Sequence, residues 1–455
     1  MNIVILGAGA VGGTLTETLN DHLHRITVVD ENVTHLERLQ KLDGVLTVSG
    51  NAAEPHILEQ ANVDEADMVI AVTGRDEINI VASQVARSVY ETPKVIIRLR
   101  SQDYARIERY KSKYLDNLVV INPENEVRAQ IERLLQYPGT FEVASLADNE
   151  VAFVGFRALR NMPPCGMTVD AMLNWNPTSR ARFVAAFRKF VPLDRTSEIQ
   201  RKDEIYFCAP TSEVTEILTE CLGSVQPERK VLIAGAGRIG TSLAKVLQAD
   251  HSIRLIEPDA EHARFAADQL QDGIVYPGDA TDAIKQRECE IADTDLFVAV
   301  TNDDEINVMS CLLAKQEGAR QTIALLNQDP YVRLLNETNI DVALSPQRAT
   351  SSSVLSLVHE NNIRAAHRLR VGTCEVFETV VRGSAGENRV TGKRVNKVSL
   401  PQNASILAVV RDGTVIEMDD DSVFQEGDIV VIYVAEAAMI QKVLRLFQLS
   451  AFSFH

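Results

Sequence analysis

The chain repeats itself at an offset of 228 residues. Residues 3–9 read IVILGAG and residues 231–237 read VLIAGAG. In the same register Gly50-Asn51-Ala52 matches Gly278-Asp279-Ala280, Ala71-Val72-Thr73 matches Ala299-Val300-Thr301, and Asp76-Glu77-Ile78-Asn79 matches Asp304-Glu305-Ile306-Asn307. A repeat of this length restricts the chain to architectures built twice from one unit.

In half one, short apolar runs at 2–6, 25–29, 45–48, 67–72 and 94–99 alternate with helical patterns at 11–22, 32–41, 54–61 and 76–90. This alternation predicts an α/β fold with a doubly wound, Rossmann-like parallel sheet. Residues 124–136 then place Val127, Ile131, Leu134 and Leu135 on one helical face before Pro138-Gly139 ends the pattern. The counterpart at 348–362 carries Val354, Leu355, Leu357 and Val358. Both stripes need a partner to bury them.

The remainder of each half reads as a small α+β module. In half two, strands at 405–411 and 414–417 flank Asp412-Gly413, a hairpin signal. Gly427-Asp428 marks a second turn before a strand at 429–434, and a closing helix at 436–447 carries Ala437, Ile440, Val443, Leu444 and Phe447. In half one the matching tail is a strand at 183–187, a turn at Asp203-Glu204, a strand at 205–208 and a helix at 212–222, with 223–229 as linker. The expected domains are therefore 1–137 and 227–368, both Rossmann-like and nucleotide-binding, and 138–226 and 369–455, both small α+β modules.

Charge and composition narrow the function. A net charge of -17 over 455 residues argues against a protein whose main task is neutralising nucleic-acid phosphates. No apolar run reaches 18 residues, and the N-terminus lacks a basic leader. The expectation is a cytoplasmic protein that serves a membrane, if at all, by peripheral docking on its inner face. The cysteines, at 165, 208, 221, 289, 311 and 374, form no C-x-x-C pair and stand near no His at ligand spacing. They read as buried structural thiols, with no metal site and no catalytic residue.

The chemistry lies in two glycine loops. Gly7-Ala8-Gly9-Ala10-Val11-Gly12 and Gly235-Ala236-Gly237-Arg238-Ile239-Gly240 each follow a strand and open a helix. The first glycine permits the tight turn, the second lets backbone approach a pyrophosphate, and the third lets helix and strand pack closely. The alternative for each loop is a strand–helix turn that holds no ligand. Asp30 and Glu257 end the second strand of each half, where an acid meets ribose hydroxyls and repels a 2′-phosphate. This favours NAD(H) or an adenine mononucleotide over NADP(H). Asn51-Ala52 and Asp279-Ala280 follow the third strands, and Thr73-Gly74 and Thr301-Asn302 follow the fourth, as further liners. The sites differ in charge. Arg238 sits inside the second loop where Ala10 sits in the first, and Arg98 and Arg100 end the fifth strand where half two has Leu326 and Gln328.

These features resemble the regulator-of-potassium-conductance (RCK) family over essentially the whole chain. The marks are GAGAVG and GAGRIG, Asp30 and Glu257, the Gly-Asn-Ala and Gly-Asp-Ala triplets, VTGRDEIN and VTNDDEIN, and Asn122-Pro123-Glu124. The resemblance implies NAD(H) or ATP/ADP as ligands, a homo-oligomeric ring, expected to be a tetramer, and gating of a membrane-embedded potassium channel subunit. It places a ribose-binding carboxylate at Glu124. Half two departs here with Ser345-Pro346-Gln347, and the first module departs in lacking a glycine-rich turn like that at 383–392.

Two other classes compete. An NAD-dependent oxidoreductase needs an acid/base beside the nicotinamide, often His, yet no His occurs between His56 and His251. His359 and His367 fall in or near the second crossover helix. A Rossmann-type redox-sensing transcriptional regulator needs a basic DNA-reading helix. The most basic stretch, 180–189, instead aligns with the strand at 406–410.

Overall fold

The computed structural model describes residues 1–20, 24–101, 104, 118–178, 180–223, 230–327, 338–358, 363–369, 374–419, 421–436 and 439–447. Expectations for Ala437, Gln328, His359 and the linker 224–229 lie outside these residues. Half one opens with β1 (Asn2–Leu6), α1 (Ala10–Leu19), β2 (Arg25–Asp30), α2 (Val33–Leu39), β3 (Val45–Ser49), α3 (Pro55–Gln60), β4 (Met68–Ala71), α4 (Asp76–Ser88), β5 (Lys94–Arg98), β6 (Leu118–Ile121) and α5 (Pro123–Gln136). The six strands form one parallel sheet in the order β3-β2-β1-β4-β5-β6. A parallel sheet covered on both faces demands strands apolar on both sides, which is why β4 reads MVIA and is buried throughout. Val4, Leu6, Val29, Leu58, Val69, Ala82 and Ala86 join in one core cluster on one side of it.

The first small module comprises β7 (Thr140–Leu146), β8 (Val151–Arg157), α6 (Val169–Leu173), β9 (Arg182–Arg188), β10 (Val191–Pro192), β11 (Glu204–Pro210) and α7 (Val214–Leu222). Half two repeats the parallel unit with β12 (Lys230–Ala234), α8 (Arg238–Leu247), β13 (Ser252–Glu257), α9 (Ala260–Gln269), β14 (Ile274–Pro277), α10 (Ala283–Glu288), β15 (Leu296–Ala299), α11 (Asp304–Glu317), β16 (Gln321–Leu325), β17 (Val342–Leu344) and α12 (Pro346–Val358). Its sheet order, β14-β13-β12-β15-β16-β17, is that of half one. The second small module holds β18 (Ala365–Arg368), β19 (Glu375–Val380), β20 (Ala404–Arg411), β21 (Thr414–Ile416), β22 (Ile429–Val434) and α13 (Ile440–Phe447).

The two small modules share one topology: β7-β8-β11-β9-β10 in the first corresponds strand for strand to β18-β19-β22-β20-β21 in the second. They also share an ion pair between a partly exposed arginine and a buried aspartate. Arg188 grips Asp203 through Nε and Nη2 at 2.9 and 2.8 Å, and Arg411 grips Asp428 through the same atoms at 2.7 and 2.8 Å. The Gln200 and Gln425 amides donate to the same two carboxylates. The turn expected at Asp203-Glu204 lies two residues earlier, at Arg201-Lys202, because Asp203 is needed inside as the arginine's partner. The basic stretch 180–189 supplies β9, a central strand, and no helix.

The chain divides into two compact units, Met1–Val127 with Ser345–Leu355, and Arg128–Leu344 with Ser356–His455. Most of α12 therefore belongs with the sheet of half one, although it follows the sheet of half two in sequence. Both stripes find cover: Val127, Ile131, Leu134 and Leu135 are buried, as are Val354 and Val358, while Leu355 and Leu357 are half-buried. Within the second unit the two small modules meet through polar contacts. Arg364 holds Asp148 with two bonds of 2.9 Å, His367 Nε2 lies 2.9 Å from Glu142 Oε1, and the Ala147 amide donates to Glu378.

The recurring Arg–Asp grip generates the first prediction. Asp428 is fully buried and accepts from Arg411 and from the Gln425 amide, so Asp428→Ala removes these bonds and is expected to destabilise the module by about 1.5–3 kcal/mol. Urea unfolding followed by circular dichroism checks this, and Asp203→Ala is expected to act alike on the first module. A midpoint unchanged in both variants would contradict the assignment.

Candidate functional site

The carboxyl ends of β1 to β5 converge around the first glycine loop. Gly7 N donates to Val29 O at 2.7 Å, Gly50 N to Asp30 O at 3.1 Å, and Val72 N to Leu6 O at 2.9 Å, tying the ends of neighbouring strands together. Gly7 has φ +106°, and a Cβ there would stand 2.9 Å from the Thr73 backbone. Gly12 packs so closely that a Cβ would fall 1.7 Å from Gly7 O. Gly9 differs: a Cβ on it would meet nothing within 4 Å. Two glycines thus serve the fold, and the middle one keeps a face of the loop open for something that approaches from outside. Half two repeats all three conditions at Gly235, Gly240 and Gly237.

Gly9 and Gly237 are the N-caps of α1 and α8, and neither helix start is capped by a side chain. The first-turn amides and the helix dipole therefore face the open side of the loop, the arrangement that binds phosphate. Ala10 and Arg238 occupy the first helical position, both exposed, so in half two a guanidinium stands where an anion would arrive. Val11 is buried beneath the loop and Ile239 is half-buried.

Asp30 Oδ2 accepts the Ala8 amide at 2.6 Å, and Oδ1 accepts Asn32 N at 2.7 Å. Glu257 does the same in half two, with Oε2 on Ala236 N at 2.6 Å and Oε1 on Asp259 N at 3.0 Å. Each carboxylate is fixed by two backbone bonds and keeps lone pairs on both oxygens for a pair of vicinal hydroxyls. The other liners are partly committed to their own turns. Asn51 Oδ1 accepts Ala53 N at 2.9 Å, and Asp279 Oδ1 accepts Thr281 N and its hydroxyl, both at 2.8 Å. Ala52 and Ala280 are buried under these turns. Thr73 and Thr301 donate from Oγ1 to Asn79 and Asn307, each at 2.7 Å, while Gly74 and Asn302 stand exposed beside them.

Asn79 and Asn307 were visible in the sequence only as part of a repeated motif. The structure supplies the reason for the repeat. Each is fully buried and donates from Nδ2 to the end of the neighbouring strand, Asn79 to Arg98 O and Asn307 to Leu325 O, both at 2.9 Å. The aspartate three residues earlier closes the following turn: Asp76 accepts the Arg100 and Ser101 amides, and Asp304 accepts Asn327 N. Arg98 is thereby held at the end of β5, two strand spacings or roughly 10 Å from β1. Glu124 stands further off, in the first turn of α5 after the edge strand β6. The loop, Asp30 and Thr73 are thus brought together, whereas Arg98 and Glu124 lie on the far side of the crevice.

The cysteines take no part. Five are buried and Cys165 is half-buried. Burial pushes the Cys221 thiol up to about 12 and Cys289 to about 11, and raises Cys208 and Cys311 as well. Among the described residues no helix is long and apolar enough to cross a membrane.

Fold and site together define a duplicated protein in which two Rossmann-like domains, each with a glycine loop at a helix N-terminus, are each paired with a small antiparallel module. The TrkA-N domain model matches residues 3–122 and 231–346, and the TrkA-C domain model matches 386–448. The Trk system potassium uptake protein TrkA of Vibrio alginolyticus is 37% identical over 456 residues, covering 99% of this chain and all of that protein. The protein of the same name from Halomonas elongata is 36% identical over 451 residues, covering 98% and 99%. The chain belongs to the TrkA family. Among solved structures, the RCK domain of GsuK covers 97% of this chain and 94% of its own at TM-score 0.58 and 18% identity. A structure described as the GsuK channel bound to NAD covers 98% of this chain and 78% of its own at TM-score 0.56 and 17% identity. Both share the fold.

The glycine geometry generates a paired prediction. Gly12→Ala drives a methyl into Gly7 O and is expected to destabilise the first domain by about 2 kcal/mol or more. Gly9→Ala meets open space and is expected to leave the melting temperature within about a degree of wild type while weakening any phosphate ligand of the loop. Differential scanning calorimetry with and without nucleotide separates the two. A Gly9→Ala protein that melts as low as Gly12→Ala would contradict this division of roles.

Proposed function

We propose that the chain is the nucleotide-sensing regulatory subunit of a Trk-type potassium uptake system, binding NAD(H) and ATP/ADP and gating a membrane-embedded channel subunit. It would act as a homo-oligomeric ring, tetrameric by family resemblance, in the cytoplasm and peripheral on the inner face of the membrane. The observation that carries the reading is the duplicated glycine loop with its fixed carboxylate, in a chain that belongs to the TrkA family throughout its length. The working divisions would be 1–137 and 227–368 for binding and 138–226 and 369–455 for the small modules. The ligand contacts would fall on the loops Gly7–Gly12 and Gly235–Gly240, Asp30 and Glu257, the turns at Asn51, Asp279, Thr73 and Thr301, and, across the crevice of half one, Arg98 and Glu124.

Sensing is favoured over turnover because both sites consist of backbone amides, carboxylates fixed by two bonds and arginines. Their parts can bind and orient a nucleotide, and none is placed as an acid/base beside a substrate domain. What a ligand transmits is limited to the difference in its affinity for the two states of the ring. Most of α12 groups with the unit of half one while its last residues group with the other unit, a chain continuity that supports coupling between the halves.

Asp30 is expected to make the first site prefer NADH to NADPH by tenfold or more in calorimetry. Asp30→Ala is expected to weaken NADH by about 1.5–3 kcal/mol for each charge-assisted bond lost. Equal affinity of wild type for NADH and NADPH would overturn the assignment. Arg238 is expected to distinguish ATP from ADP at the second site. In potassium flux through the partner channel, ATP and ADP should act differently on wild type and alike on Arg238→Ala. If Arg238→Ala still separates them fully, the terminal phosphate is read elsewhere.

A further inference from the structure

The two small modules share a frame but differ at one end of their sheets. The Arg188–Asp203 and Arg411–Asp428 grips fix the equivalence, together with the Gln200 and Gln425 amides on the same carboxylates. Lys189-Phe190 joins β9 to β10 where Asp412-Gly413 joins β20 to β21, and Arg201-Lys202 precedes β11 where Glu426-Gly427 precedes β22. Three positive charges in the first module thus stand where the second has two negative ones. Glu204 of β11 pairs with Phe187 of β9, so the two basic turns lie at one end of neighbouring strands, which are about 4.8 Å apart.

The backbone sharpens the difference. Lys189, Phe190 and Lys202 have φ of +49°, +65° and +73°, and their counterparts Asp412, Gly413 and Gly427 have +49°, +74° and +90°. The second module fills this left-handed conformation mostly with glycine, which accepts it without steric cost. The first fills it with two lysines and a phenylalanine, which disfavour it. Strain of this kind gathers where the side chain has a use.

These turns line a cavity of about 1110 Å3 within the second compact unit, between the first small module and the second nucleotide domain. Gln321 Nε2 donates to Thr140 O at 2.9 Å and ties the two walls together. The described lining holds seven Lys and Arg side chains against three carboxylates, in a chain whose net charge is -17. Each acid is engaged: Asp203 with Arg188 at 2.8 Å, Asp341 with Lys315 at 2.7 Å, and Glu204 with Arg157 at 3.7 Å. Lys189, Arg201 and Lys202 are exposed and make no ion pair among the described residues. A concave site with surplus positive charge and apolar walls, such as Leu222 and Ile340, suits a small molecule that carries several negative charges on a carbon skeleton.

We propose that this cavity is a binding site for a small molecule bearing a polyphosphate chain, held by Lys189, Arg201 and Lys202 and separate from both glycine loops. A ligand there touches the first small module and the second nucleotide domain together, and so favours the arrangement in which these walls face each other. Inorganic tripolyphosphate, titrated calorimetrically into the full chain, is the probe. Gly9→Ala with Gly237→Ala, which weakens phosphate at both loops, is expected to leave the cavity component within about twofold of wild type. Lys189→Gln with Arg201→Gln and Lys202→Gln is expected to weaken that component by about tenfold or more, through loss of charge-assisted bonds to phosphate. Importing the second module's turns, as Lys189→Asp, Phe190→Gly, Arg201→Glu and Lys202→Gly, is expected to abolish it in a protein that melts no lower than wild type, since glycine relieves the strain. A tripolyphosphate affinity that survives both sets of turn variants, or one that only the glycine-loop pair removes, would overturn the proposal. Binding to phosphatidylglycerol vesicles without binding of free tripolyphosphate would also overturn it, and would assign the basic turns to a membrane surface.

Discussion

The bond between the carboxylate after the second strand and the second residue of the glycine loop organises each half. Asp30 on Ala8 and Glu257 on Ala236, both at 2.6 Å, join the ends of β1 and β2, or of β12 and β13, across the turn where the sheet changes direction. The turn leaves no room for error, since the third glycine lies against the carbonyl of the first. The carboxylate is fixed by backbone, so the proposed contact with a ribose would need no reorganisation of it. Loop, helix start and acid thus form one frame, and the proposed binding would use the same atoms that the fold requires.

Duplication lets that receptor be varied without risk to the frame. The backbone ties recur at equivalent positions: Asn79 and Asn307 on the ends of β5 and β16, Asp76 and Asp304 at the next turn, and the Arg188–Asp203 and Arg411–Asp428 grips in the small modules. What changes is charge at positions where these ties do not depend on the side chain. Arg238 replaces Ala10 on the loop of half two, and at the end of the fifth strand, where the offset of the repeat is one residue shorter, Leu325 stands in place of Arg98. Leu325 is buried, so half two ends this strand in hydrocarbon where half one buries a cation.

The parallel sheets were legible because their signals are local. Five strands and four helices of half one fall within a few residues of the periodicity in the sequence, and the Asp412-Gly413 hairpin was marked by its turn residues. What was not legible lacked such punctuation. β9 and β10 are joined by Lys189-Phe190, which adopts the same doubly positive φ, +49° and +65°, as Asp412-Gly413 at +49° and +74°. β7 and β8 turn through Ala147, Asp148 and Asn149, all at positive φ and none of them glycine. Tertiary packing imposes these turns against residue preference, so a pattern reading that finds β9 passes over β7, β8 and β10. β18, spelled Ala-Ala-His-Arg, is a strand because β19 offers it an edge, and its own composition does not ask for one.

The sequence alone determined the duplication, the doubly wound sheets, the glycine loops and the acids that serve them, since each depends on residues near one another in the chain. Only tertiary structure could decide where the apolar stripes of the crossover helices are covered. α12 joins the compact unit of the first domain instead of following its own, because a stripe identifies only the need for an apolar partner. It also decided that Arg98 is a buried cation. A charged residue at the end of a strand reads as exposed until β4, β6 and α4 are assembled around it, and burial is a property of that assembly.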